Sequence, residues 1–112
     1  MRTASNTKSR GTMHFLLIKE EAKVLGVCLD FNIIEEGKNI LEVRKNLENA
    51  AFLHLQTVRE KKLSDNLLNR HASEKYWRLF ELALDYKAKK EVISATASPY
   101  FKNKPALISS LV

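Results

Sequence analysis

The sequence predicts an α+β domain: a short antiparallel three-stranded β-meander followed by a long α-helix, plus a second C-terminal amphipathic helix. Three observations predict it. Short apolar runs separated by a few polar residues fill the stretch "MHFLLIKEEAKVLGVCLDFNIIEEG" from Met13 to Gly37. Apolar spacings of three and four residues then take over and persist for some twenty residues. Only three Gly and two Pro occur in 112 residues, which leaves little room for a loop-rich all-β fold.

The elements follow in chain order. "HFLLIK" is a six-residue apolar run ending in charge, of strand length, and "KEEAK" is polar enough to close a hairpin. "VLGVCLDF" and the shorter "NIIEEG" supply the second and third strands. Their connections are too short for helical crossovers, so the strands run antiparallel. Gly26 inside a strand pattern marks a bulge or a close backbone approach. Gly37 stands where strand becomes helix, a joint that favours positive φ. Asn39 is placed to cap the helix, and Glu42, three residues on, completes a capping box.

The first helix is expected over about 40–62, with Ile40, Val43, Leu47, Ala50, Ala51, His54 and Val58 on one face. Phe52 and Leu55 lie off that stripe, toward a second packing partner. Ser64 and Asp65 open a short helical turn, and Ser73 opens a second long helix running to Lys90. Tyr76, Trp77, Phe80 and Tyr86 crowd this helix, so it needs a surface to bury them: the sheet, a dimer mate or a partner protein. The expected organisation is a flexible tail over 1–12, a β-β-β-α domain over 13–62, a linker and helix over 63–90, and a loosely structured tail over 91–112. Within that tail Val92–Thr96 has weak strand propensity.

The net charge of +6 is evenly divided: residues 1–62 hold 11 Lys and Arg against 8 acids, residues 63–112 hold 8 against 5. Such a sum without a stripe is first of all a solvated surface. Weak nucleic-acid binding through Lys87, Lys89 and Lys90, with Lys102 and Lys104, is a minor alternative. No apolar run approaches membrane-spanning length, and no secretory signal opens the chain. Cys28 is the only cysteine, so no intramolecular disulfide forms and a cytoplasmic setting is expected.

Little here points to catalysis. His14, His54 and His71 share no metal-ligand spacing with one another or with Cys28. The acid pairs Glu20-Glu21 and Glu35-Glu36 are sequence neighbours, which on a strand point to opposite faces. No Gly-rich phosphate loop and no nucleophile-elbow pattern occurs. The reading is a binding domain without enzymatic activity, cofactor or metal.

The stretch "VLGVCLDFNIIEEGKNILEVRKNLENAAFLHL" carries a resemblance. A strand with a Cys-Leu-Asp ending is followed by a short apolar strand, a glycine and a capped helix. Over residues 13–58 this resembles the HicB family of antitoxin domains. Gly37, Asn39, Glu42, Val43, Asn46, Leu47 and Ala50 stand where that family's Gly, polar cap, Glu, Ala, Asn, aliphatic and Ala tend to stand. The resemblance implies a partial ribonuclease-H-like fold and a protein that binds and neutralises a small HicA-like toxin that degrades messenger RNA. Toxin-facing acids would be Glu20, Glu21, Asp30, Glu35 and Glu36, and a homodimer is expected. Many HicB-like proteins also repress their operon through a C-terminal DNA-binding segment, whereas residues 63–112 show a single strong helix. The alternative is a dimeric interaction module without a toxin.

Overall fold

Alternation along β1 (Arg10–Glu20) decides the architecture, because both its faces are apolar. Met13, Phe15 and Leu17 point one way, Leu16 and Ile18 the other, and all five are buried. A strand buried on both sides needs a layer above and below it. The computed structural model, which describes residues 5–83 and 92–102, supplies both. β1 pairs with β2 (Lys23–Cys28), β2 with β3 (Ile33–Gly37), and β1 also with β4 (Val92–Phe101), all antiparallel, in the order β3-β2-β1-β4. Helix α1 (Ile40–Glu60) covers one face and α2 (Glu74–Ala83) the other, with a 3-10 turn at Asp65–Leu68 between them.

The α+β class and the antiparallel meander leading into a long helix stand as expected; the sheet has four strands, not three. Part of the supposed C-terminal tail is the fourth strand, in register from Arg10↔Phe101 to Leu17↔Ser94. The small side chains from Ser94 to Ser98 leave only the weak strand propensity noted for Val92–Thr96, and pairing with β1 along its length makes the segment a strand. The flexible N-terminal tail is corrected too. β1 begins at Arg10, and Asn6 is only 4% exposed. Its side chain bonds Thr12 N–H and C=O, occupying the flank of β1 that β2 does not reach. The Asn69 amide in turn binds the backbone of Ser5 and Asn6.

Under α1 lie Val43, Leu47, Ala51, Leu55 and Val58, packed on Met13, Phe15, Leu17, Val24 and Cys28. Leu55, expected off the stripe, is at its centre, while Ile40 at the helix start is exposed. Gly37 does not adopt positive φ. A Cβ there would stand 3.0 Å from Val43, and one at Gly26 would meet Leu17 and Val43 at 3.0 Å and Leu47 at 3.1 Å, tighter than ordinary packing. Both glycines let α1 approach the sheet. The Asn39 side chain accepts from Glu42 N–H at 3.0 Å, as the capping pattern predicts.

Candidate functional site

The β1–β2 hairpin turns through Glu21 and Ala22, with Glu20 paired to Lys23. Glu21 holds φ of 53°, a left-handed conformation that costs a non-glycine residue free energy. β3 ends beside this turn, since Val24 pairs with Gly37 and Leu25 with Glu36. Glu20, Glu21, Ala22, Lys23 and Lys38 line a shallow surface pocket at this corner. Lys23 Nζ lies 3.2 Å from Glu36 Oε1, both groups well exposed, so the pair contributes little to stability. Ile34, 48% exposed, shares the face of Glu36 along β3. The edge strand thus presents an exposed β-branched side chain two residues from Glu36, on the same face.

The expected acids do not all meet there. Glu20, Glu21 and Glu36 do; Glu35 pairs with Gly26 on the opposite, α1-covered face. Asp30 is a correction. It sits at the far end of the sheet, 5% exposed, where its carboxylate accepts from the His14 backbone N–H and lies 3.0 Å from His14 Nδ1. The His14 ring packs 5.4 Å from both Trp77 and Phe80, and His71 packs 5.8 Å from Trp77. Backbone bonds from His71 to Asp30 and from Ala72 to Leu29 tie the start of α2 to this knot. In the strand pattern "VLGVCLDF" Asp30 reads as a solvated acid at a sheet edge; only the distant His14 explains why it is buried.

The aromatic helix is likewise absorbed by its own chain. Trp77 is buried and Tyr76 and Phe80 half-buried against Leu16, Ile18, Leu25, Val27 and Leu29, so these side chains form an inner face of the fold and not a free partner or dimer surface. Tyr86, Lys87, Lys89, Lys90 and Lys104 lie outside the described residues; Lys102 is exposed. His54 is a packed histidine, its Nε2 2.7 Å from Leu67 O and its ring 4.9 Å from Phe31.

Two buried groups bear on reactivity. Burial pushes the Cys28 thiol up, with the nearby Asp30 charge adding to it, so the thiolate is disfavoured. Glu48, off the apolar stripe of α1 by its spacing, is buried in the fold. Desolvation raises its carboxyl to about 7 against the opposing pull of Arg44. Among the described residues no cluster of His, Cys, Asp and Glu is placed to hold a metal, and no helix is long and apolar enough to cross a membrane.

The class these observations define is a small α+β domain with two helices on opposite faces of an antiparallel sheet. Comparison with protein-family models, with curated proteins and with solved structures finds no match to this chain.

Proposed function

We propose that the chain is a HicB-like antitoxin or antitoxin-derived domain that neutralises a small mRNA-degrading toxin by direct binding. The single observation that carries the reading is the edge strand β3, where exposed Ile34 shares a face with Glu36 and Glu36 in turn reaches the β1–β2 hairpin that bears Glu20 and Glu21. A protein that handles RNA is basic, and local acids give such a partner an electrostatic approach on a chain whose net charge is +6. The β-β-β-α order of residues 10–60, with the cap at Asn39 and the close approach at Gly37, is the arrangement the HicB resemblance calls for. Glu35 and Asp30 drop out of the contact surface; Ile34 enters it as the apolar anchor.

The test is growth rescue. The chain is co-expressed with the small reading frame beside its own gene, after that frame alone has been shown to arrest growth. The wild-type chain restores growth. Ile34→Asp combined with Glu20→Lys and Glu36→Lys loses the rescue while keeping its far-ultraviolet circular dichroism. Arrest that persists with the wild-type chain, or rescue unchanged in the triple variant, removes the reading.

A further inference from the structure

We infer that two copies of this chain join through the outer edge of β4, extending the four-stranded sheet to eight strands. The register of β1 shows which backbone groups are available. Thr12 uses its N–H and C=O on Asn6, and His14 uses its own on Asp30 and Leu29 N–H, so both direct their backbone toward the β2 side. Residues directly opposite in an antiparallel ladder either both face each other or both face away. The β4 partners of Thr12 and His14 are Pro99 and Ala97, and two further back lies Ala95, the partner of Leu16. These three turn their backbone groups outward. Pro99, which has no N–H to give, is where an edge strand tolerates it.

Pro99 and a register irregularity at Ile93 guard the two ends of this edge, and the stretch between them, Ser94 to Ser98, is unguarded. β4 is ten residues long, whereas β3, the other edge, has five residues and carries Glu35 and Glu36. Val92–Phe101 contains no charged residue at all. Long uncharged edges are templates for another strand. The strand best suited to this one is β4 itself. An antiparallel pair with its two-fold axis at Thr96 sets Ala95 opposite Ala97 of the second copy, and Ala97 opposite Ala95. Those two pairs exchange four main-chain hydrogen bonds between methyl side chains that cannot clash. Thr96 meets its own copy as a close non-hydrogen-bonded pair of β-branched residues. Pro99 C=O is the last outward acceptor before Phe101 O, which already accepts from Arg59 at 3.0 Å. The ladder therefore ends by itself. The occupant is a second copy because its edge is equally uncharged, which matters between two chains of net charge +6.

The experiment is light scattering on the full chain with register-specific crosslinking. The wild type runs at twice the chain mass. Ala97→Lys, at an exposed position, runs at the chain mass with unchanged circular dichroism. Thr96→Cys, oxidised under mild conditions, gives a covalent dimer, because partners in such a pair stand within disulfide reach. Ala97→Cys gives much less, and buried Cys28 adds no background. A monomeric wild type overturns the proposal; slow hydrogen exchange at Ala95 and Ala97 in that monomer assigns the edge to this chain's own undescribed residues. A dimer that survives Ala97→Lys overturns it as well.

Discussion

The two layers on either side of the sheet are closed by different means. Beneath α1, apolar side chains drawn mainly from Met13 to Val58, with Leu68 and Tyr100 added from farther along, interlock with the helix drawn close at Gly26 and Gly37. Beneath α2 the seal is a ring of aromatics around a hydrogen-bonded pair, His14 and Asp30, joined to residues far away in the chain. The first layer rests on shape and the second on polar satisfaction. They should therefore fail differently when cut.

The largest effect comes from the large apolar side chain of each layer. Trp77→Ala and Leu47→Ala each cost about 3 kcal/mol or more, from lost burial and the cavity left behind. Their consequences diverge. Leu47→Ala lowers protection of every strand and of α1 in hydrogen exchange. Trp77→Ala releases α2 and His14 while amides of α1 stay protected. Equal loss across the chain in both variants would make the layers a single cooperative unit and end the contrast.

Next is the hydrogen-bonded pair of His14 and Asp30. Asp30→Ala leaves the His14 N–H and Nδ1 without their acceptor in a buried place, costing about 2–3 kcal/mol. Asp30→Asn keeps an oxygen for the backbone N–H and loses less. Urea denaturation of the two variants measures the gap. No difference between them would show that the charge, not the backbone bond, governs the site.

These two layers also explain what was legible beforehand. Most of the α1 layer is local: its first three strands, its glycine joint and the Asn39 cap lie within fifty residues, and periodicity suffices to find them, whereas its Tyr100 comes from β4. Leu55 was misplaced only because a wide apolar face was drawn too narrow. The α2 layer and β4 depend on contacts across the chain. Asn6 looks like tail until Thr12 and Asn69 meet it. Ser94, Thr96 and Ser98 alternate with alanines so small that no pattern of burial shows in the letters. The acids followed the same rule: the hairpin grouped Glu20 and Glu21 by proximity, while the burial of Asp30 needed His14.

Glu48 gives a pH test of the α1 layer. Its carboxyl is raised to about 7 in the fold, against an ordinary value of about 4.3 when unfolded. The folded state then holds the proton over a window in which the unfolded chain releases it. Stability is unaffected below the unfolded value, falls as pH rises through that window, and stays lower above 7. The penalty at pH 8 is about 1–2 kcal/mol after allowance for solvent reach at the helix surface. Glu48→Gln abolishes the slope, whereas Trp77→Ala, in the other layer, leaves it intact. Denaturation midpoints between pH 5 and 8 measure both, and a flat wild-type profile would remove Glu48 as the cause.

The smallest effect tests how much the α1 layer owes to its helix end and how much to its side chains. The Asn39 side chain satisfies Glu42 N–H at 3.0 Å in an exposed position, so Asn39→Ala costs about 1 kcal/mol or less. Asn39→Asp keeps the acceptor and adds a negative charge at the positive end of the helix, so it is neutral or slightly stabilising. Amide exchange in the first turn, Leu41 to Arg44, should speed up in the alanine variant alone, with protection at Leu55 and Val58 lowered no more than global stability requires. If exchange rose along the whole of α1 beyond that, the cap would be holding the layer closed, and interlocking at Gly26 and Gly37 would no longer distinguish this face from the one under α2.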